Sequence, residues 1–257
     1  MTTRMTEKQE NVPIPTKEEA LEQFKTMKLF GTNFKTMKSD KAFLGYLTIE
    51  LSLAPADVSG YQMCSRAKIA GCDQHCIGLF SGMNVVPRNM LSKVIKTIVL
   101  NEYPEIFHAK KDKELKLFVA KCEREKLKPV VRMNCYSDIS WIATIRQYPQ
   151  IQFYDYTKVN GRLKFNNLPN YDLTLSYYHN PKTGKNNLKQ CLDYLRKGGN
   201  IAFIYGQDMP KTWNGFDVID GDSTDLRFLD KKGLAVALYV KGDKASKAMF
   251  QKEGMKV

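Results

Sequence analysis

PVVRMNCYSDISWIATIRQYPQIQFYDYTK, residues 129–158, decides the fold. Its ends, PVVRMN (129–134) and IQFYDY (151–156), are short runs of apolar, β-branched and aromatic residues, which read as strands. SDISWIATIRQ between them has helical spacing and reads as a short helix. Two apolar strands joined by a helical crossover make a parallel β–α–β unit. Strands without polar alternation are buried on both faces, as in a parallel sheet.

The same grammar continues toward the C-terminus. DLTLSYY (172–178) reads as a strand, and NLKQCLDYLRKGG as a helix closed by Gly198–Gly199. NIAFIY (200–205), FDVID (216–220) and LAVALYV (234–240) follow as strands. On the N-terminal side, residues 87–99 and 110–127 have helical period, and FLGYLTIELSL (43–53) is a strand ended by Pro55. Thr16 with Glu19 forms a capping box for a helix running to about Leu29, and residues 1–15 read as a disordered lead. Six or seven such strands predict an α/β fold: a full or partial (β/α) barrel of parallel strands with an N-terminal helical extension. The expected organisation is a lead and helix over 1–42 and a barrel-like domain over 43–245, followed by a basic tail over 246–257. A cysteine-bearing loop, 56–84, lies within the domain, and its length points to function rather than connection.

The composition narrows the function classes. The chain has 257 residues, 43% hydrophobic, and a net charge of +13. It contains no run of 18 apolar residues, and MTTRMTEKQENVPIPT lacks the apolar core of a secretory signal, so the cytoplasm is the expected compartment. The charge is uneven. Residues 1–60 hold 8 Lys/Arg against 8 Asp/Glu, whereas residues 61–200 hold 23 against 11. A localised basic field attracts phosphate backbones, and nucleic acid is the partner it suggests. Phosphate contacts would come from Lys110, Lys111 and Lys113; from Arg162 and Lys164; from Lys182, Lys185 and Lys189; and from Arg196 and Lys197. Tyr154, Tyr156, Tyr171, Tyr177 and Tyr178 are candidates for stacking on bases.

Six cysteines without a secretory signal argue against a disulfide framework. Cys122 and Cys191 fall in helical patterns and read as small buried apolar residues, while Cys135 stands alone. Cys64, Cys72 and Cys76 are gathered in MCSRAKIAGCDQHCIGLFSG with C-x7-C-x3-C spacing. Three thiolates on one loop can hold three irons of a cubane cluster and leave the fourth open. His75 between the last two allows a rival Cys3His zinc site. No phosphate-cradling glycine loop competes, since GQDMPKTWNG lacks the required lysine and glycine order, and three dispersed histidines cannot form a histidine-rich centre.

In a parallel barrel, function belongs at the C-terminal ends of the strands. Polar groups fall there: Arg132, Asn134, Ser137 and Asp138; Asp155, Thr157 and Lys158; Tyr177, Tyr178 and His179; Gln207 and Asp208; Asp220, Asp222, Asp225 and Arg227.

Over residues 45–245 the chain resembles a group of tailed-phage proteins related to the gene product 88 domain family. The stretches that carry the resemblance are LSLAPADVSGYQMCSRAKIAGCDQHC, VVRMNCYSDISW, QFYDYTK, LTLSYYHN and TWNGFDVIDGDSTDLRFLDKKGLAVALYVKG. That family looks like a divergent radical S-adenosylmethionine barrel. The resemblance implies that Cys64, Cys72 and Cys76 ligate an iron–sulfur cluster, and that Ser137, Asp138 and Asp155 hold the cofactor. It further implies catalytic roles for Asp138, Asp155, Lys158, Asp222, Asp225 and Arg227. The chain departs from its relatives at Ile77–Met83 (IGLFSGM), where they carry an alanine–glycine turn, and at Cys135, where they tend to carry glycine.

Two functions follow as expectations. One is a phage protein that binds nucleic acid, single-stranded DNA above all, and supports viral transcription or replication beside a phage polymerase. The other is a radical S-adenosylmethionine-type iron–sulfur enzyme modifying a nucleotide or nucleic acid.

Overall fold

The structure, a computed structural model, describes residues 3–10, 12–42, 45–245, 247 and 248. Phe43 and Leu44 of the expected first strand, and most of the expected tail 246–257, lie outside the described residues. The chain runs α1 (Glu7–Glu10), α2 (Lys17–Thr26), β1 (Phe30–Gly31), α3 (Phe34–Ala42) and β2 (Tyr46–Leu51). The cysteine loop carries α4 (Ala67–Ala70) and α5 (Ile77–Phe80), and is followed by α6 (Pro87–Glu102) and α7 (Pro104–Glu125). Then come β3 (Lys128–Arg132), α8 (Ile142–Gln147), β4 (Gln152–Thr157), β5 (Tyr171–Ser176) and α9 (Leu188–Arg196). Last are β6 (Ile201–Tyr205), β7 (Thr212–Trp213), β8 (Phe216–Asp220) and β9 (Ala235–Tyr239).

The strands form one nine-stranded sheet in the order β1-β2-β3-β4-β5-β6-β9-β8-β7. Pairing is parallel from β2 through to β8 and antiparallel only at the two edges, β1 on β2 and β7 on β8. The expected α/β class and parallel sheet are therefore present. The two-residue edge strands were illegible in the sequence because they are too short to show a period.

Strand order dictates the layers. From β2 to β6 every crossover steps the same way, so right-handed connections fall on one face. The step from β8 to β9 goes backward, which sends residues 221–234 across the opposite face. Side-chain alternation agrees. Leu51, Val131, Phe153 and Leu173 join the main core with Phe24, Val94, Phe107 and Ile145 of the helices. Val130 and Tyr154, one residue out of phase, pack instead with Leu226, Tyr46 and Phe228. We call this second face the inner face. The helix α3 also reaches it, because the Asp225 N–H donates to Ser39 Oγ at 2.7 Å.

Several expected boundaries move for visible reasons. The capping box at Thr16 forms, but α2 stops at Thr26 rather than near Leu29. The N–H groups of Leu29 and Phe30 donate instead to the Glu114 carboxylate of α7, which pulls the chain into β1. The helix expected from Ser137 begins only at Ile142, since Asn134 Oδ1 takes up Ser137 Oγ and the Ile139 N–H. The expected disordered lead is a strap. Gln9, buried, donates to the carbonyls of Leu79 (2.9 Å) and Asn84 (3.0 Å), and the Arg4 guanidinium lies 4.2 Å over the Phe80 ring. Cys122 and Cys191 are fully buried among apolar side chains, as their helical positions imply.

Candidate metal centre at the carboxyl edge of the sheet

The cysteine loop leaves the C-terminal end of β2, the first parallel strand, and is fastened to the loops after β3 and β5. The Asp138 N–H donates to the Met63 carbonyl at 2.8 Å, and Cys64 Sγ lies 3.3 Å from the Tyr136 carbonyl. Gly71 turns in the left-handed region, with φ of 71°. The Asn180 side chain closes on it and donates to the Ile69 carbonyl at 3.1 Å. From the helical layer, buried Lys93 of α6 donates to the Gly78 carbonyl (2.6 Å) and to Asn84 Oδ1 (2.8 Å), with its ammonium 4.7 Å over the Tyr136 ring.

These anchors bring the three cysteines within electrostatic reach of one another. Burial drives the Cys64 thiol up to about 12, with Cys76 and Cys72 adding to the rise. Burial and then Cys72 push Cys76 up to about 11. Cys72 rises as well through burial, opposed by the Lys158 ammonium. Without a bound cation all three stay protonated near neutral pH. A metal drawing off those protons supplies the positive charge the site lacks. Among the described residues, no group of three or more His, Cys, Asp or Glu side chains is set to hold a metal ion. His75, the fourth ligand of the zinc reading, has Nδ1 3.5 Å from Arg4 Nη1.

Beside the thiols lies a hydrogen-bonded group drawn from β3, β4 and the segment after it. The Asp138 carboxylate accepts from Thr157 Oγ1 (2.8 Å), the Lys158 N–H (2.8 Å) and Arg162. Ser137 Oγ donates to Asn134 Oδ1 at 2.9 Å. Asp155 is fully buried and accepts from the Asn134 N–H (2.8 Å), Asn134 Nδ2 (2.9 Å) and Tyr171 OH (3.1 Å), with Arg162 at 3.5 Å. A carboxylate so enclosed positions the loop after β3. Its hydrogen-bond partners include Asn134 and Tyr171, so its visible work is to fix that loop.

The rim residues expected to act together are divided by the sheet. Ser137, Asp138 and Lys158 stand with the cysteines. Asp225 and Arg227 lie buried on the inner face, and Asp222 ties the end of β8 to β9 through the Tyr239 N–H (2.7 Å) and Lys241 (2.6 Å).

The expected phosphate contacts also divide. Lys111 is buried against Thr144 Oγ1 (2.7 Å) and Asp112 (3.1 Å), and Arg162 is buried against Asp138 and Asp155. Lys110 donates to the Phe24 carbonyl at 2.6 Å near the end of α2. Lys111 and Arg162 are buried and turned to the fold rather than to solvent, whereas Lys110 is half-buried. Lys113, Lys164, Lys182, Lys185, Lys189, Arg196 and Lys197 are exposed. Tyr154 and Tyr171 are buried in polar networks and cannot stack on bases, whereas Tyr177 and Tyr178 are half-buried.

Sequence reasoning passed over Lys93, Tyr136 and Asn180. Lys93 had a signal: it occupies the apolar stripe of α6 with Met90, Val94 and Thr97, a costly place for a charge unless it has partners. Burial lowers its ammonium to about 8. Tyr136 has a consequence that can be measured. A Cβ on Gly78 would lie 2.8 Å from the Tyr136 ring, too close to be relieved by a flexible chain end. Gly78→Ala should therefore destabilise the protein by about 1–3 kcal/mol in denaturant titration. An unchanged midpoint would show that Tyr136 does not hold the cysteine loop.

Fold and site together define the class: an α/β protein with a mostly parallel sheet that gathers three thiols at its carboxyl edge. The chain belongs to the gene product 88 family, a phage-type family whose model matches residues 23–253. No curated protein and no solved structure matches it. Among the described residues, no helix is long and apolar enough to cross a membrane.

Proposed function

We propose that this protein is an iron–sulfur enzyme of radical type that modifies a nucleotide or nucleic acid in the cytoplasm of the infected host. The observation that supports it is the convergence of Cys64, Cys72 and Cys76 with Asp138 and Lys158 at the carboxyl edge of the parallel strands. In this reading the sheet is a partial (β/α) barrel, in keeping with the sequential order of β2 to β6.

Cys64, Cys72 and Cys76 would hold an iron–sulfur cluster, which would supply one-electron chemistry toward a co-substrate such as S-adenosylmethionine. The chain's own residues do the rest. Lys158 offers a cation to the co-substrate's carboxylate and offsets the charge of three thiolates. Asp138, fixed by Thr157 and Arg162, orients that loop. Lys93 holds the carbonyl of Gly78 and so fixes the turn after Cys76. The strap braces α5 behind Cys76 through Gln9 on the Leu79 carbonyl and Arg4 over the Phe80 ring.

A second reading, binding of single-stranded DNA beside a phage polymerase in viral transcription or replication, draws on a different feature. Exposed Lys182, Lys185 and Lys189 follow directly on Asn180, which packs against the cysteine loop. The two readings part cleanly in solution. Protein prepared anaerobically with iron and sulfide should be coloured and should contain both elements. A colourless, iron-free, folded protein, or one that takes up only zinc, sinks the enzyme reading. Affinity for single-stranded DNA should fall steeply with salt if the lysines contact phosphates, and a flat response would remove that role.

A further inference from the structure

The inner face carries a set of buried polar atoms that the fold does not use. Arg132 Nε, Tyr156 OH, Thr174 Oγ1, and Nε and Nη1 of Arg227 are buried without a hydrogen-bond partner among the described residues. Native proteins leave few such atoms, because each costs about 1–3 kcal/mol. These five are not scattered. Tyr156 and Thr174 are direct neighbours across β4 and β5. The Arg132 guanidinium lies 5.0 Å over the Tyr156 ring. Arg227, fully buried, comes from the segment that crosses this face. Its Nη1 is ion-paired with Asp230 Oδ2 at 3.1 Å but misaligned for a hydrogen bond, and neither atom has a hydrogen-bond partner among the described residues.

The chemistry of the patch is one-sided. Its unbonded atoms are mainly donors, Nε of Arg132, Nε and Nη1 of Arg227 and two hydroxyls, on a face that also holds Lys35. Of the carboxyls, Asp225 is held ionised by Arg132 and Lys35, while burial pushes Glu50 and Asp230 toward the neutral form. Five donor atoms, three of them on arginines, call for an anion with several acceptor oxygens. A phosphoryl group offers three or more, arranged to take arginine forks, where a carboxylate offers two.

We propose that the inner face between β3–β5 and residues 224–230 binds a phosphoryl group, through Arg132, Tyr156, Thr174 and Arg227. None of these residues belongs to the thiol group, so the site stands whether or not the cysteines hold a cluster. The phosphoryl group can belong to free phosphate or to a nucleotide, and the test separates them.

Thermal midpoints and calorimetric titrations of the full chain would be taken with inorganic phosphate, thymidine 5′-monophosphate and thymidine. Phosphate should raise the midpoint of the wild type. A larger rise with the nucleotide assigns the site to nucleotides, and an equal rise assigns it to free phosphate. Thymidine alone should do nothing. Tyr156→Phe and Thr174→Val each remove a hydroxyl that makes no bond in the fold, so both variants should fold normally. Each should bind the phosphoryl ligand roughly tenfold more weakly, the loss expected for one hydrogen bond to a charged group. Two results would overturn the proposal. One is a wild-type midpoint that neither phosphate nor nucleotide moves. The other is wild-type affinity retained in both variants, which would place the anion on the lysine-rich surface.

Discussion

Cys72→Ser should strip iron and sulfide from the anaerobically prepared protein while leaving the sheet folded. The thiol lies in a loop outside the strands, and its one short contact is 3.6 Å from the Ala67 carbonyl. Serine can take that contact, so the fold loses little. On the iron–sulfur reading the cluster would lose one of three ligands, and with it the thiolate beside the Lys158 ammonium. Cys122→Ala should have the opposite profile, since Cys122 is fully buried in the main core on α7 and lies outside the cysteine loop. It should cost stability and keep the iron. The measurements are iron and sulfide content per chain, the visible spectrum, and a circular dichroism melt. Equal metal content in the wild type and Cys72→Ser would remove Cys72 from the site.

Asp225→Asn should produce the largest loss of stability. Burial opposes the charge on Asp225, yet Arg132 at 3.2 Å, Lys35 at 3.1 Å and Tyr154 OH at 2.7 Å bring its carboxyl down to about 2. Removing the charge leaves Arg132 buried and uncompensated, a loss of about 3–5 kcal/mol. The pH dependence has a definite sign. A carboxyl depressed in the folded state contributes stability that is full above its ordinary value of 3.8 and is lost as pH falls toward about 2. The difference between wild type and Asp225→Asn should therefore be constant near neutrality and shrink below pH 3.8. Urea titrations at several pH values would show it. A neutral-pH difference under about 1 kcal/mol, the range of an exposed pair, would mean that the network is solvated.

Much of this was legible in the chain. The strand–helix–strand pattern of 129–158 marks a parallel pair, and β3 and β4 are indeed parallel neighbours, with Val130 opposite Gln152. Continuous apolar runs survive as strands because burial on both faces leaves no alternation to misread. The three-cysteine loop was visible because thiols so close together need a reason. Roles were harder to read. Asp155 and Asp138 look alike in sequence, yet one is sealed by Asn134 and Tyr171 and the other stands near the thiols. Lys111 and Lys113 belong to one run of charge, but a helix turns neighbours to different faces, so one is buried and the other exposed. The lead read as disordered because its polar residues show no period. Its order comes from partners some 70 residues away, such as the Leu79 carbonyl for Gln9.

The sequence by itself determined the α/β class, the parallel pairing and the loop that carries the thiols, because these rest on local periodicity and spacing. Only the tertiary structure decided which face each polar residue serves. The backward step from β8 to β9 sends residues 221–234 across the inner face, taking Asp225 and Arg227 away from the cysteines. Because such crossovers are right-handed, the face they take follows from strand order, and strand order is set by contacts between residues far apart in the chain.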